Sequence, residues 1–136
     1  MSLIRTVAAV IENTQGEVLL VRKRASSIFI QPGGKIEADE DPLAALAREL
    51  EEELAVELEL SEVVFLGQFE DEAVNEPGCR VRALAYRCAV RGFPVAQSEI
   101  EELVWVRPEG PFAVPVAALS ALHILPAHQS SDPHAR

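Results

Sequence analysis

The segment Gly34–Val56, GKIEADEDPLAALARELEEELAV, constrains the fold most strongly because it combines a clear helix with eight carboxylates. Asp41 followed by Pro42 is a typical helix start, since Asp caps free N–H groups and proline suits the first turn. From there to Leu54, leucines recur at helical spacing and predict a buried stripe. Three consecutive glutamates at 51–53 lie near the helix end, where the helix dipole disfavours negative charge. The segment therefore predicts a core-packed helix whose acids need a compensating partner.

Glu49, Glu52 and Glu53 are predicted to share one flank of this helix, which borders the leucine stripe and faces solvent. On a helical wheel, Glu52 and Glu53 lie within about 60° of Glu49, beside the leucine stripe, whereas Glu51 points to solvent. Carboxylates four residues apart repel each other by about 0.2–0.5 kcal/mol. Clustered carboxylate oxygens match a hard divalent cation such as Mg²⁺ or Mn²⁺. A solvated acidic face has the same composition, so the helix alone leaves metal binding open.

The spacing of the segment resembles the Nudix box, G-x5-E-x7-R-E-U-x-E-E-x-G-U, in which U is apolar. The matching residues are Gly34, Glu40, Arg48, Glu49, Leu50, Glu52, Glu53 and Val56. The last glycine of the box is Ala55 here. A glycine suits the left-handed residue that ends a helix, so Ala55 either adopts that conformation at a cost of about 1 kcal/mol or ends the helix differently.

The resemblance implies a hydrolase that needs Mg²⁺ or Mn²⁺ and cleaves the diphosphate linkage of a nucleoside diphosphate derivative. Water attacks phosphorus in such enzymes, and the substrate here is expected to be a nucleoside triphosphate or a related small nucleotide. The alternative is a non-catalytic Nudix domain that binds nucleotides as a sensor or regulator. Such domains usually lose glutamates of the box, and all of them are present here, so the enzyme is favoured.

Within the box, the resemblance assigns metal binding to Gly34, Glu49, Glu52 and Glu53. It assigns catalysis to Arg48, Glu49 and Glu53, with Arg48 orienting a glutamate through an ion pair. Which glutamate is the general base stays open. Glu40 either reaches the site or caps local structure.

Outside the box, the resemblance adds Glu99 as a candidate base or metal ligand, with Glu101 and Glu102 as weaker substitutes. The substrate-binding candidates come from the second strand and from the loop after the glycines, and they are Arg22, Arg24 and Lys35. The loop FEDEAVNEPGCRVRA is expected to overhang the site, and its candidates for contact with a base or ribose are Phe69, Asn75 and Arg80. Tyr86, Trp105 and His123 are expected to be structural.

The rest of the chain predicts several strands and a second helix, which indicates the α+β class. The resemblance refines this to a Nudix-type α/β/α sandwich with a mixed β-sheet. Residues 1–128 are expected to form a single domain, and 129–136 a disordered tail. TVAAVIEN and EVLLVRKR are predicted to form a hairpin. The second helix is predicted to start at Val114, with Pro115 in its first turn, and to end at Pro126.

The formal net charge of −10 excludes a general electrostatic attraction to polymeric nucleic acid or to anionic membranes. An anionic ligand must therefore meet local bases or a bound cation. Cys79 and Cys88 lie about 30 Å apart along one predicted strand, so free thiols in a reducing compartment are expected. Without a membrane span or signal peptide, a cytoplasmic protein with a small nucleotide substrate is expected. The resemblance also allows a homodimer.

Overall fold

The computed structural model describes residues 2–131 and has the predicted α+β architecture, in which β-strands are packed between two helices. The elements in chain order are β1 (Ser2–Val10), β2 (Val18–Lys23), β3 (Phe29–Ile30), β4 (Gly33–Lys35), α1 (Pro42–Leu54), β5 (Glu57–Glu72), β6 (Cys79–Arg91), β7 (Ile100–Val106), a π-helical stretch (Leu119–Ile124) and α2 (Leu125–Ser131). One sheet has the order β4-β1-β6-β5 and the other the order β3-β2-β7. The β1–β6 pair is parallel and the other pairs are antiparallel.

The central strands are buried on both faces because their side chains alternate between two apolar layers. Val7 and Ala9 of β1, with Ile11 just after it, pack with the leucines of α1. Ala8 and Val10, pointing the other way, pack with residues of the π-helical stretch and α2. β2 repeats this division, so the domain contains two core clusters, one on the α1 side and one on the α2 side.

The turn Asn13–Glu17 joins β1 to β2 as a hairpin that stays closed only near its tip. The Asn13 N–H donates to Glu17 O at 2.9 Å, and the Leu19 N–H donates to Ile11 O at 3.0 Å. Beyond this point β1 pairs with β4 and β6, whereas β2 pairs with β3 and β7. The predicted hairpin is therefore wrong for most of its length, because each strand finds distant partners. This separation opens a cleft between the two sheets.

The helix α1 begins and ends at the predicted residues, Pro42 and Leu54. The Asp41 side chain caps it by accepting hydrogen bonds from the N–H groups of Leu43 and Ala44. At the other end, Ala55 adopts the left-handed conformation, with φ 57° and ψ 34°. Ala55 thus keeps the geometry for which the box has a glycine, at a cost of about 1 kcal/mol.

The second helix differs from its prediction at both ends. Val116, instead of being helical, forms a bridge with Phe29, and helical structure begins with the π-helical stretch at Leu119. The helix then continues through Pro126, because the wider π turn already interrupts the ordinary hydrogen-bond ladder there. Residues 129–131 belong to α2, whereas 132–136 of the predicted disordered tail lie outside the described residues.

Cys79 and Cys88 both lie on β6 and are free thiols. Tyr86 is buried, and its ring centroid lies 5.4 Å from that of Phe65. Over residues 2–131, no helix has the length and apolar character that crossing a membrane requires.

Candidate active site

Arg48 is the centre of a network that ties α1 to the loop before it. Its Nε and Nη2 donate to the two carboxylate oxygens of Glu40 at 2.8 and 2.9 Å. Nη1 donates to Glu49 at 3.0 Å, and Nη2 also donates to the Lys35 carbonyl at 3.1 Å. The Arg48 guanidinium holds the pKa of Glu40 down at about 2. Of the two roles open for Glu40, these contacts favour the structural one, because its carboxylate anchors Arg48.

Gly34 and Glu49 lie against each other at the centre of the site. A Cβ added to Gly34 would overlap the Glu49 carboxylate, so the absence of a side chain makes room for that group. Glu49 is only partly exposed, and burial raises its pKa, while the Arg48 guanidinium acts in the opposite direction. Gly34 does not have a positive φ, so this position needs glycine for space and not for backbone conformation.

Glu53 is buried, with an exposed fraction of 3 %. Its carboxylate accepts a hydrogen bond from the Gly33 N–H at 3.2 Å. Burial raises the pKa of Glu53 to about 8; the Gly33 N–H opposes this rise, and the charge of Glu49 adds to it. The placement of Glu53 on a solvent flank is therefore wrong. The wheel describes only α1, and strand β4, which begins at Gly33, covers this carboxylate.

Glu52 is the outermost of the three acids, with 54 % of its side chain exposed and its carboxylate 3.6 Å from Arg48 Nη1. Within residues 2–131, no three His, Cys, Asp or Glu side chains are grouped closely enough to hold a metal ion as they stand. The three carboxylates instead point in different directions. Glu49 accepts from Arg48, Glu53 accepts from the Gly33 N–H, and Glu52 is largely exposed.

The chemistry of this donor set nevertheless fits a hard divalent cation. The candidate ligands offer only oxygen, from three carboxylates and the Gly34 carbonyl. The charge of Glu49 also raises the pKa of Glu53, and a bound cation would relieve this repulsion. The peptide at Gly34 lies directly beside the Glu49 carboxylate because no Cβ separates them.

Lys23 is a basic residue of this site that the sequence analysis missed. Its Nζ lies 3.1 Å from the Glu99 carboxylate, and both residues line the cavity beside the acids. Burial is the main cause of the raised pKa of Glu49 and of Glu53, and the positive charge of Lys23 acts against this rise. The alternation of side chains along β2 was the available signal. Val21 faces α1, and Lys23, two residues further on, is therefore expected on the same side of the strand.

The structure separates the three predicted substrate-binding bases. Arg22 donates to Glu102 at 3.1 Å and to the Ser26 carbonyl at 2.9 Å, and Arg24 donates to the Ser98 carbonyl. Neither arginine lines the cavity, whereas Lys35 does. Lys35 Nζ also lies 2.8 Å from Glu76, at the mouth of the cavity.

A cavity of about 350 Å³ adjoins the acidic site and lies on the α2 side of β1. Its walls come from β1, β6, the β3–β4 region, the loop after β5 and the π-helical stretch, and they include Ile4, Thr6, Ala8, Gln31, Asn75, Val81, Leu119, Ser120 and Ile124. The lining is largely apolar. Asn75, a candidate for contact with a base or ribose, is among the lining residues.

Two other predicted contacts do not line this cavity. Phe69 stacks on His123, with ring centroids 6.2 Å apart, and Arg80 pairs with Glu70 on the sheet surface. Sequence reasoning also missed Gln31 and Ser120, since neither stands in a motif. Only the packing of distant segments brings them together.

The chain is similar to known proteins both in sequence and in fold. A family model described as NUDIX domain matches residues 2–126. A CTP pyrophosphohydrolase of Escherichia coli K12 is 34% identical over 121 residues, covering 86% of this chain and 85% of that protein. A MutT-like protein of Streptomyces ambofaciens is 28% identical over 132 residues, covering 96% of this chain and 80% of that protein. The solution structure of the E. coli ORF135 protein superposes with a TM-score of 0.76 at 29% identity, over 98% of this chain and 96% of that one.

Proposed function

Since the chain belongs to the NUDIX family and is a pyrophosphohydrolase of nucleotide derivatives, we propose that it cleaves a nucleoside triphosphate or a related small nucleotide with Mg²⁺ or Mn²⁺. The observation that carries this proposal is the Arg48 network. It holds Glu49 beside Gly34, next to the buried Glu53 and at the edge of a nucleotide-sized cavity. The printed name of the E. coli relative, CTP pyrophosphohydrolase, supports a triphosphate substrate.

In this proposal, Glu49, Glu52, Glu53 and the Gly34 carbonyl hold the divalent cation. When bound by these residues, it would supply charge neutralisation for the polyphosphate and a lower pKa for the attacking water. Glu49 or Glu53 accepts the proton of that water, and Glu99, which lines the same cavity, is a further candidate base.

Arg48 acts as a positioning residue. It is joined to Glu40 through both carboxylate oxygens, so it presents Glu49 in one orientation. Lys23 and Lys35 are the bases at the cavity, and we assign the phosphate contacts to them. A chain with a net charge of −10 needs such local bases to meet an anionic substrate.

An activity panel tests the proposal. Nucleoside triphosphates, dinucleoside polyphosphates, nucleotide sugars and ADP-ribose are incubated with Mg²⁺ or Mn²⁺, with and without chelator, and the products are resolved by chromatography. We expect turnover of triphosphates that chelator abolishes. Turnover of another class alone would overturn the substrate assignment, and turnover that survives chelator would overturn the metal assignment.

A matched pair of variants tests the site. Glu53→Gln keeps an oxygen for the Gly33 N–H, yet it should lower kcat by at least about a hundredfold, as removal of a group that acts on developing charge does. Glu51→Gln changes an exposed acid of the same helix and should retain wild-type turnover. Equal activity of the two variants would contradict the assigned role of Glu53.

A further inference from the structure

The last turn of α1 ends against the loop that follows β6. The final carbonyls of a helix have no partner within the helix and must find donors elsewhere. In this protein the backbone of the loop supplies two of those donors. The Val95 N–H donates to the Leu54 carbonyl at 2.9 Å, and the Gln97 N–H donates to the Glu53 carbonyl at 3.0 Å.

The side chain of Gln97 completes this cap. Its Nε2 donates to the carbonyls of Glu51 and Glu52 at 3.1 and 3.2 Å. Carbonyl oxygens can only accept, so these two bonds fix which end of the amide is nitrogen. The last four carbonyls of α1 therefore all receive donors from Gln97 and Val95. These donors offset the negative end of the helix dipole, where the acids lie.

Gln97 also begins the turn that carries Glu99. The Ile100 N–H donates to the Gln97 carbonyl at 3.0 Å, which closes a four-residue turn around Ser98 and Glu99. Ser98 has a φ of 56°, in the left-handed region. Arg24 holds the other side of this turn, because its N–H donates to the Glu99 carbonyl at 2.8 Å and its guanidinium donates to the Ser98 carbonyl. The turn is thus fixed between the end of α1 and the end of β2.

The Glu99 side chain reaches the cavity from this turn. It lines the cavity together with Gly34, and its carboxylate lies 3.1 Å from Lys23 Nζ. Burial is the main cause of the raised pKa of Glu53, and the negative charge of Glu99 adds to that rise. Glu53 and Glu99 come from separate elements, so their relative position depends on how the turn is attached to α1.

We propose, resting on the proposed function, that Gln97 is a positioning residue, which holds the turn of Glu99 against the end of α1. The Glu99 carboxylate is thereby kept at the site that Glu53 and the other acids of α1 form. When the Gln97 side chain is lost, the backbone bonds of Gln97 and Val95 remain. The loop therefore stays in place, while the turn gains freedom and Glu99 is presented less precisely.

Two substitutions at Gln97 separate the donors from the size of the side chain. Gln97→Met keeps the length and removes the donors. With Mg²⁺ and CTP, or whichever triphosphate of the activity panel is cleaved fastest, it should lower kcat about tenfold and keep KM within about twofold. Gln97→Lys returns donors to the helix end and should keep kcat within about threefold of wild type. Gln68→Met, the same change at an exposed position of β5, should alter neither constant. Equal losses in the two Gln97 variants would overturn the role of the donors.

A double-mutant cycle with Glu99→Gln distinguishes positioning from a general effect on stability. Once Glu99 is replaced, Gln97→Met should cost less than about twofold in kcat, because the group that it positions is gone. A full loss in that background would overturn the proposal. So would an unchanged kcat in Glu99→Gln alone.

Amide hydrogen exchange tests the same contact without turnover. In Gln97→Met, the Arg24 N–H, which bonds to the Glu99 carbonyl, should exchange about tenfold faster than in wild type. The Leu19 N–H, near the tip of the first hairpin, should exchange at the wild-type rate. If the wild type cleaves no nucleotide of the panel, the proposed function fails, and exchange then decides about Gln97. Faster exchange at Arg24 alone would support its hold on the turn, and equal rates would overturn it.

Discussion

On the α1 side of the cleft, Arg48 joins Glu40 and Glu49 through contacts of 2.8–3.0 Å. On the α2 side, a largely apolar cavity is lined by residues of several elements. The first region is assembled from one continuous segment, whereas the second collects residues from Ile4 to Ile124. In the proposed function, the acids that act on the bond thus come from one segment, and the cavity that receives the nucleotide is assembled from many.

Replacing Arg48 tests whether the α1 side acts on rate alone. Lysine cannot make the two-oxygen bond to Glu40, so Arg48→Lys should lower kcat by about 10- to 100-fold, as loss of an orienting partner does. KM should stay near its wild-type value. Arg80→Lys, at the surface pair with Glu70, is the control and should leave kcat intact. A changed KM in Arg48→Lys would show that the two sides are coupled.

The stability of the metal-free protein should respond to pH through the α1 side. Glu53 has a pKa raised to about 8, so its contribution is fully present below its ordinary pKa and is lost as the pH rises through about 8. Glu53→Gln does not titrate, and at pH 8 it should be more stable than wild type by about 1–3 kcal/mol. Urea unfolding with chelator at pH 5 and pH 8 measures this difference, which should shrink at pH 5. A gain of equal size at both values would exclude ionisation as the cause.

Gly34→Ala should disturb the acids without unfolding the loop. The new Cβ displaces the Glu49 carboxylate, the far end of a flexible side chain, so kcat/KM should fall by about tenfold. Circular dichroism should show an intact fold. Combining the change with Glu49→Asp shortens the displaced side chain, and the two effects should be less than additive. Strict additivity would argue against a direct contact between the two residues.

The smallest effect is expected at the end of α1. Ala55→Gly relieves the left-handed conformation and should raise the free energy of unfolding by about 0.5–1 kcal/mol, since the greater freedom of the unfolded chain offsets part of the gain. The shift in urea midpoint measures this gain. Activity should not change. A destabilised variant would contradict the strain at Ala55.

The sequence was most informative where the structure depends on neighbours along the chain. The bounds of α1, its cap at Asp41 and the pairing of Arg48 with acids follow from helical spacing and motif. The burial of Glu53 does not, because it is the start of β4, at Gly33, that covers this carboxylate. A helical wheel contains no information about what lies above the helix.

Features that depend on distant partners were the ones predicted wrongly or missed. β1 and β2 separate because β6 and β7, far along the chain, offer them longer pairings. The helix continues past Pro126 because a π turn precedes it, and no residue pattern marked that turn. Gln31 and Ser120 meet in the cavity wall only through the packing of distant segments.

The two buried clusters, one under each helix, have no side chain in common. Substitutions that share no partners have nearly additive effects. A change at a residue of one cluster, such as Ile124 in the cavity wall, should therefore leave the packing of the other cluster nearly unaffected. The cavity wall can thus vary in evolution while the packing that supports the acids of α1 is kept.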